Sequence, residues 1–525
     1  MVQDKERIRT YKNLNNWQSF RLKLVLEGLL VGLFSGLLVG FFRYALTVLE
    51  RQRLYIYRTV LEPGPLWYVA IVLAVVLLIA AILEALVKYE PMSAGSGIPQ
   101  VKGNILGIYK TTWWRIIIAK LTGGILGIGA GLSLGREGPS IQLGAMMAQG
   151  ISRLLGRTKM EEKYLITSGA GAGLAAAFNA PLAGVIFTME ELHKNFSAVV
   201  LMPSLAAALV STVVSHIIFG RNTIFSFPEL SRVPIRLLPT LVIVGICLGV
   251  LGAFFNYCLV NASKFYQLPF FKNNFMRIAF PLFLAVILGF YLPQVLSGGN
   301  LLVDSLVTNN FPLKLLLLFL VGKFIFTMLS YGANVPGGFF LPMLVLGALA
   351  GNILANIFVS IGILDSALRM HVIIFAMAGF FAASVRAPIT GIILIMEMTG
   401  SFWHLVPLSL VALFAYITAE LCHSKPIYDS LLDKALAKDK EDSRKMVKKT
   451  TRNIMERVVE SGTVIEGKFI KDIEWPQGVL VVDVKRGDKD IIPRGDTRLM
   501  AGDYLYILVA AVQEEAVIKM MEKLK

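Results

Sequence analysis

The sequence is poor in the residue types from which disulfide, metal and catalytic sites are usually built. It has three cysteines and five histidines in 525 residues, and their spacing matches neither a disulfide framework nor a metal site. It also lacks a Walker loop, a dinucleotide-binding glycine pattern and an HExxH helix. The sequence therefore lacks the residue patterns of a catalytic nucleophile, a metal site or a cofactor site. We expect no cofactor and no enzymatic activity.

Charged residues are scarce as well, at 16% of the chain against 55% hydrophobic residues. Charge is completely absent from four long stretches, at 63–83, 237–263, 278–303 and 324–364. Each stretch is long enough to cross the hydrocarbon core of a bilayer, about 30 Å. The composition therefore excludes an ordinary soluble protein and predicts an all-α polytopic membrane protein.

The net charge of +16 does not indicate nucleic-acid binding. The basic residues cluster at the termini and between apolar segments, and six Lys or Arg precede residue 24. Cytoplasmic loops of membrane proteins carry such an excess. Residues 1–22 lack the apolar core of a signal peptide, so we expect them to form a cytoplasmic segment.

The apolar part contains an internal repeat. "AGLAAAFNAPLAGVIFTME" (172–190) aligns with "GFFAASVRAPITGIILIME" (379–397) at a constant offset of 207, with eight identities. "GREGPSIQLGA" (135–145) aligns with "GFFLPMLVLGA" (338–348) at an offset of 203, at which Lys120 also meets Lys323. Transporters are often built from two such related halves. We predict halves at about 25–220 and 235–435, whose relative orientation the sequence leaves open.

Three glycine- and proline-rich motifs interrupt the apolar segments: "GSGIP" (95–99), "GREGP" (135–139) and "GGFFLP" (337–342). In each, glycines free the backbone and a proline suited to the first turn of a helix follows. The pattern predicts helices that start inside the membrane, with their N–H groups available to bind an anion. The alternative for each motif alone is a packing glycine or a kink.

Taken together, these motifs resemble the anion-selectivity sequences of the CLC chloride channels and chloride/proton antiporters, in that family's order. "FNAPLAGVIFTMEE" (178–191) and "SKPIY" (424–428) resemble the family too, and the resemblance covers about residues 20–435. It implies a CLC-type inverted repeat with re-entrant half-helices. It also implies a homodimer in which each subunit has its own anion pathway.

The resemblance assigns chloride binding to six residues: Ser96, Gly97, Ile98, Phe339, Phe340 and Tyr428. Ser96 and Tyr428 would donate their hydroxyls to a dehydrated anion, and backbone amides near Phe340 would complete the site. The family's fluoride exporters typically lack this serine and tyrosine, and its nitrate exchangers have proline in place of the serine. Chloride is therefore the expected substrate.

Acidic residues within the apolar region indicate proton chemistry, because an uncompensated carboxylate in hydrocarbon is costly. By the resemblance, Glu137 would be the external gate, since its carboxylate can occupy the same site as chloride. The alternative for Glu137 is a structural ion pair with Arg136. We expect Arg136 to be a supporting residue of the site. Glu191 matches the family's internal proton residue, with a surface charge at a helix end as the alternative. Glu190 has a repeat partner in Glu397, which indicates a supporting role.

The composition changes after about residue 435. Eight Lys or Arg and four acidic residues at 438–457 indicate a basic linker, 436–455, or a helix lying near anionic lipid. Beyond it, "VLVVDVKR" (479–486) and "YLYILVA" (504–510) read as strands and "QEEAVIKMMEKLK" (513–525) as an amphipathic helix. This pattern therefore predicts a small α+β cytoplasmic domain at residues 456–525.

This tail resembles the TrkA-C (RCK C-terminal) domain of potassium transport regulators, through the "IIPRGDT" turn (491–497) and the "GD" (502–503) before the last strand. Such domains usually dimerise, and several bind a small regulator, including cyclic di-AMP. The hypothesis is that six residues line such a site: Lys485, Arg486, Ile491, Ile492, Pro493 and Arg494. Cations would serve the phosphates and apolar groups the bases. A purely structural assembly module is the alternative.

The sequence thus predicts a transport domain at 23–435 that exchanges chloride for protons, with chloride, protons and membrane lipid as its partners. A passive voltage- or ligand-gated chloride channel on the same scaffold is the nearest alternative. Another is a ligand sensor whose tail is the main functional unit. We expect a prokaryotic plasma membrane location with both termini cytoplasmic.

Overall fold

The chain divides into two compact units, Met1–Asp433 and Lys434–Lys525. The computed structural model describes residues 2–61, 67–194, 196–221, 225, 227, 232–271, 273–446, 452–459, 463–476, 479–486 and 489–510. The first unit is helical, and the second contains a small sheet. The predicted closing helix at 513–525 lies outside the described residues.

Helices dominate the first unit. Those of its first half are α1 (Val2–Leu61), α2 (Trp67–Tyr89), α3 (Ile98–Ile105), α4 (Trp113–Gly129), α5 (Glu137–Leu154), α6 (Lys159–Phe178), α7 (Pro181–Phe187) and α8 (Ala198–Phe219). Those of the second half are α9 (Leu238–Phe265), α10 (Asn274–Tyr291), α11 (Asn300–Thr308), α12 (Leu313–Gly332), α13 (Phe340–Ser360), α14 (Arg369–Val385), α15 (Pro388–Thr399) and α16 (Leu405–Leu421). A further helix, α17 (Ile427–Met446), follows both halves.

Eight helices in the described part of the chain are long and apolar enough to cross a membrane. They lie at Leu22–Tyr57, Val69–Tyr89, Val199–Phe219, Ile235–Phe265, Asn274–Tyr291, Leu313–Gly332, Phe340–Ser360 and Ser366–Val385. The uncharged stretch at 324–364 is not one crossing, because α12 ends at Gly332 and α13 begins at Phe340. The break falls on the third glycine motif, where the backbone turns within the apolar region.

Each of the three glycine motifs starts a helix, as predicted. The helices α3, α5 and α13 begin at Ile98, Glu137 and Phe340. Gly97, before α3, has φ of 92°, a left-handed conformation that a residue with a side chain rarely adopts. The glycine is therefore required for the chain to enter this helix.

The backbone repeats as the sequence does. The helices α6 and α14 end at Phe178 and Val385, and α7 and α15 begin at Pro181 and Pro388, the same offset of 207. Asn179 and Arg386, in the turns between, both have positive φ, 54° and 69°. Repetition of an uncommon backbone conformation at equivalent positions confirms the duplication.

A pseudo-two-fold contact joins the halves. Gly135 and Gly338 occupy equivalent positions in the repeat, and they exchange two backbone hydrogen bonds across an isolated antiparallel bridge. The Gly135 amide donates to the Gly338 carbonyl (2.5 Å), and the Gly338 amide donates to the Gly135 carbonyl (2.9 Å). A contact between a residue and its own repeat equivalent lies on the axis that relates the halves.

Two buried lysines anchor equivalent loops. The Lys120 ammonium donates to the carbonyls of Ser93 (2.8 Å) and Gly95 (2.6 Å), directly before α3. Lys323 donates in the same way to the carbonyls of Val295 (3.0 Å) and Ser297 (2.6 Å), before α11. Each lysine thus fixes the loop from which a short helix starts, and the shared lysine that the repeat alignment contains has a structural explanation.

Two glutamates cap helices reciprocally across the halves. Glu190 accepts hydrogen bonds from the amides of Ile389 (3.1 Å) and Thr390 (2.7 Å) in the first turn of α15. Glu397 accepts from the amides of Leu182 (3.1 Å) and Ala183 (2.8 Å) in the first turn of α7. The first turn of a helix has unpaired N–H groups and a partial positive charge, so a carboxylate is favourable there.

We expect Glu397→Ala and Glu190→Ala each to destabilise the membrane unit by about 0.5–2 kcal/mol, because each leaves helix N–H groups without a partner. Thermal unfolding in detergent would measure this as a lower midpoint temperature. Glu420→Ala is a suitable control, since that carboxylate is mostly exposed and its partner Arg386 also donates to the backbone carbonyls of Tyr416 and Ser424. An unchanged midpoint for both caps would contradict the prediction.

The second unit contains a four-stranded antiparallel sheet with strand order β1-β4-β2-β3. The strands are β1 (Arg452–Val458), β2 (Leu480–Arg486), β3 (Lys489–Ile491) and β4 (Tyr504–Ala510), so the two strands predicted at 479–486 and 504–510 are present. Val481, Val484, Leu505, Ile507 and Val509 point into one apolar cluster. The buried residues alternate along β4, whereas in β2 a register shift between Val481 and Asp483 brings Val481 and Val484 into the same cluster. The unit thus has a core of its own.

Asp503 and Arg486 hold the strand ends together. Asp503 is fully buried, and its two carboxylate oxygens accept from the Arg486 guanidinium Nε and Nη2 at 2.8 Å each. The Met500 amide donates to the same carboxylate, also at 2.8 Å. Burial raises the pKa of Asp503, but these hydrogen bonds and the Arg486 charge outweigh it, so the net pKa lies below the ordinary value. The ion pair is therefore intact at neutral pH, and its stabilising effect is lost only as the pH falls through the pKa of Asp503.

Candidate functional site

The three glycine motifs meet at one place. A Cβ on Gly138, in the first turn of α5, would lie 2.5 Å from the Ser96 carbonyl oxygen and 2.7 Å from its hydroxyl oxygen. A Cβ on Gly338 would lie 3.2 Å from the Gly138 amide nitrogen. Gly95, in turn, forms an isolated parallel bridge with Pro336. The starts of α3, α5 and α13 are therefore packed together, as an anion site built from helix N-termini requires.

The hydroxyl groups of Ser96 and Tyr428 both lie in buried surroundings. Both residues are buried, and neither hydroxyl has a hydrogen-bond partner among the residues that the structure describes. The Tyr428 ring stacks on Phe339, with ring centroids 5.4 Å apart. Because buried hydroxyls normally have partners, two unpaired ones indicate a site for a polar or anionic guest.

Aromatic rings line this region and exclude water from it. Phe340 contacts the rings of Phe178 (5.4 Å), Phe187 (6.4 Å) and Phe381 (4.9 Å). Phe339 contacts Tyr331 edge-on at 5.0 Å. In such apolar surroundings the partial charges of helix N-termini act more strongly than in water.

Glu137 lies at the start of α5 and is fully buried. The backbone amides of Glu137 and Leu341 face its carboxylate, although neither oxygen has a hydrogen bond of good geometry in the described part of the chain. The Arg136 Nε is 3.9 Å from the carboxylate, which is too far for a hydrogen bond. A structural pair with Arg136 therefore accounts poorly for a carboxylate placed against helix amides.

Glu191 lies in a short π-helical turn, Thr188–His193. It is buried and accepts a hydrogen bond from the Lys102 ammonium at 2.8 Å, so it is not a surface charge at a helix end. Tyr428 is within electrostatic reach of both Glu191 and Glu137. The two buried glutamates therefore act on the same tyrosine, whereas Glu190 faces α15 in its capping role.

Sequence reasoning missed two charged residues beside Glu191. Lys102 lies on α3, and Asp429 follows Tyr428 on α17; the two form an ion pair. The available signal was a charged residue close behind two anion-site motifs, Lys102 three residues after "GSGIP" and Asp429 directly after "SKPIY", because charge is so scarce in this region.

The two halves differ at the equivalent positions. The starts of α3 and α11 are 202 residues apart, so Gly298 stands where the first half has Ser96. Leu341 stands where it has Gly138, at the offset of 203. A Cβ on Gly298 would lie 2.5 Å from the Leu341 Cδ2 atom. A leucine side chain thus stands in the second half where the first half has only the hydrogen of Gly138, so the two halves differ at this contact.

In the tail, the six residues proposed for a regulator lie on and just after one hairpin. Lys485 and Arg486 end β2, and Lys485 pairs with Asp490 of β3. Ile491 ends β3, and the loop that follows carries the other three: Ile492, Pro493 and Arg494. Arg486 is already bonded to Asp503, so it has fewer donors for a ligand than the exposed Lys485 and Arg494 have.

We expect Gly138→Ala to reduce anion flux about tenfold or more, because overpacking at the Ser96 contact displaces the hydroxyl-bearing backbone. Isotopic chloride flux into proteoliposomes would measure it. Gly322→Ala is the matched control, since a Cβ there meets its nearest neighbour at an ordinary 3.4 Å. Parental flux in Gly138→Ala, with equal protein incorporation, would show that this contact does not shape the site.

The chain is similar to known transporters and to one family model in each unit. Residues 79–420 match the "Voltage gated chloride channel" model and residues 454–522 the "TrkA-C domain" model. The "H(+)/Cl(-) exchange transporter ClcA" of Vibrio parahaemolyticus is 35% identical over 431 residues, covering 78% of this chain and 89% of that protein. The protein of that name from Klebsiella pneumoniae is 31% identical, covering 80% and 90%.

Solved structures resemble the chain in fold. A slow cyanobacterial Cl-/H+ antiporter is 32% identical with a TM-score of 0.75, covering 79% of this chain and 98% of that one. A CLC-type fluoride/proton antiporter is 25% identical with a TM-score of 0.65, covering 78% and 97%. The relatives are transporters rather than enzymes, which confirms the expected absence of enzymatic activity. The inverted-repeat fold is confirmed as well. The chain therefore belongs to the CLC family of voltage gated chloride channels, and it carries a TrkA-C domain after the membrane unit.

Proposed function

We propose that the protein exchanges chloride for protons across the membrane. The observation that carries the proposal is the placement of Glu137, a fully buried carboxylate at a helix start, next to Gly138 and its contact with the Ser96 hydroxyl. A carboxylate and a chloride ion carry the same charge and suit the same amides. Occupancy by one therefore excludes the other.

Proton coupling follows from that competition. The ionised Glu137 carboxylate occupies the amide-lined site and blocks the path, whereas the protonated side chain has no charge to hold it there and withdraws. Chloride then binds between the Ser96 and Tyr428 hydroxyls and the amides at the start of α13. One residue thus links the binding of a proton to the binding of an anion.

Glu191 is proposed as the internal proton residue. Its burial next to Lys102 and its electrostatic contact with Tyr428 support a role on the proton route rather than on the surface. The anion is held by hydroxyls and helix amides rather than by a full positive charge, which favours release as well as binding. Retention of Ser96 and Tyr428 supports chloride as the substrate.

A passive chloride channel on the same scaffold is the nearest alternative, because it would use the same anion site without carrying protons. The ClcA relatives are named as H(+)/Cl(-) exchange transporters, which favours the antiporter. Burial of Glu191 favours it too, since a channel has no need of a second buried carboxylate.

We expect a chloride gradient to drive protons uphill in proteoliposomes that contain the purified protein. Glu191→Gln should abolish this proton movement while chloride still moves, since glutamine cannot carry a proton. Glu137→Gln should also uncouple the two ions and make chloride flux independent of pH. Proton movement is read with a pH electrode and chloride with a chloride electrode in the same sample. Chloride flux without proton movement in the parent would identify a channel.

The assembly and location remain as predicted from the sequence: a homodimer in a prokaryotic plasma membrane, with both termini cytoplasmic.

We further propose that the TrkA-C domain binds a cyclic dinucleotide such as cyclic di-AMP, at the hairpin that carries Lys485 and Arg494. Exposure of both cations, and of Ile492 beside them, supports this surface as a site for phosphates and a base.

Cyclic di-AMP should change the chloride flux of the intact protein, and Lys485→Ala with Arg494→Ala should remove that response. Lys468→Ala, at another exposed position of the tail, is the matched control. A parental response in the double variant would place the ligand elsewhere, and no response in the parent would leave the tail as an assembly module. Deletion of 440–525 should preserve flux, whereas a protein whose tail is the main functional unit would lose it.

A further inference from the structure

Four charged side chains form a continuous chain of contacts beside the internal glutamate. Glu191 accepts from the Lys102 ammonium at 2.8 Å. The same ammonium contacts the Oδ1 atom of Asp429. The Oδ2 atom of Asp429 accepts from the Lys194 ammonium at 2.5 Å. Each carboxylate or ammonium in this chain thus touches the next.

The exposed fraction of the side chain rises steadily along this series of contacts, from Glu191 to Lys194. The side chains of Glu191 and Lys102 are 3% and 5% exposed, Asp429 is 27% exposed and Lys194 is 51% exposed. Asp429 is therefore the first carboxylate on the way inward that water can reach, and Lys102 is the one group that touches both it and Glu191 among the contacts of the described residues.

Stability alone does not explain the arrangement. Removing a lysine and a glutamate from water costs free energy that their attraction barely repays, and apolar side chains of similar size often stabilise as well or better. A buried pair that leads stepwise to the surface is better explained by a need to move charge. Glu191 is buried, so protons can reach it only through other groups or water.

We infer that Asp429 is the group through which protons enter on their way to Glu191, with the Lys102 ammonium as the bridge between the two carboxylates. The inference rests on the proposed exchange function. Asp429 takes a proton from water at its carboxylate. An Nζ–H bond of Lys102 then breaks as an O–H bond forms on Glu191, and the Asp429 O–H proton passes to the lysine nitrogen. Lys102 ends as an ammonium, Asp429 as a carboxylate and Glu191 as a carboxylic acid, so one proton has moved inward.

The surrounding charges suit this step. The two carboxylates and two ammonium groups sum to zero net charge, so proton entry does not work against a large fixed charge. Burial raises the pKa of Asp429, but the hydrogen bonds and charges of Lys102 and Lys194 outweigh it and lower the pKa below its ordinary value, so Asp429 passes its proton on rather than keeping it. Tyr428, next to Asp429 on α17, is within electrostatic reach of Glu191. His193 follows Glu191 by two residues, but its ring lies beside Tyr164 (6.3 Å). Asp429 also lies in the first turn of α17, where a carboxylate is favourable.

The test compares proton and chloride fluxes of the full-length protein in proteoliposomes. Asp429→Asn keeps the side-chain shape but cannot carry a proton, and we expect its proton flux to fall about tenfold or more, with chloride flux close to the parent's. Asp429→Glu should restore most of the proton flux. Asp433→Asn, one turn further along α17 and exposed, should behave as the parent does.

The dependence of proton flux on the pH of the side on which Asp429 lies separates a proton-carrying role from a structural one. A purely structural role of Asp429 would leave this dependence unchanged. Without an entry carboxylate, protons must reach Lys102 and Glu191 directly from water. The proton flux of Asp429→Asn should therefore rise more steeply with acidification than the flux of the parent. Lys102→Gln removes the bridge and should show the same loss of proton flux even if Asp429→Asn fails to fold.

The outcomes separate this inference from the proposed function. Parental coupling in both Asp429→Asn and Lys102→Gln, with Glu191→Gln uncoupled, would overturn the inference and leave the exchange function in place. A parent that moves no protons would overturn both. Loss of proton flux in Asp429→Asn with recovery in Asp429→Glu would support the inference.

Discussion

The membrane unit depends on the pair of hydrogen bonds between Gly135 and Gly338. Because each glycine is the repeat equivalent of the other, this contact fixes the axis that relates the halves. It also brings the starts of α5 and α13 side by side, with α3 against them through Gly138 and Ser96. Neither position of the bridge has room for a side chain without displacing its neighbours. The candidate anion site is thus a consequence of how the halves meet, and the glycines that allow the meeting also leave backbone amides accessible.

The buried lysines of the repeat are bonded to groups other than the hydroxyls of the site. The buried ammonium groups of Lys120 and Lys323 are committed to backbone carbonyls, and the reciprocal carboxylates of Glu190 and Glu397 are committed to helix amides. These groups hold loops and helix ends in place. The site itself is left with hydroxyls, amide dipoles and the Glu137 carboxylate, a set that can bind an anion without trapping it.

The repeat, the helix starts at Ile98, Glu137 and Phe340, and the two strands of the tail could all be predicted, because glycine, proline and alternating apolar residues act locally and leave a clear pattern. The reciprocal caps could be suspected from the matching glutamates, but not their exchange between halves. The contact of Lys102 with Asp429 could not be predicted, since the two lie 327 residues apart and outside the aligned repeat. Likewise, the sequence predicts that Arg486 binds the phosphates of a regulator, and only the fold shows that it is bonded to Asp503.

The replacement of Ser96 and Gly138 in one half by Gly298 and Leu341 in the other has a consequence for direction. A transporter made of two identical inverted halves would present the same face to both compartments, and it would have no means of telling inside from outside. Here a glycine contacts Ser96 in one half and a leucine contacts Gly298 in the other, and Glu137 has only Phe340 as its counterpart. The molecule therefore has a polarity across the bilayer, and a copy inserted upside down would meet the two solutions in the opposite order.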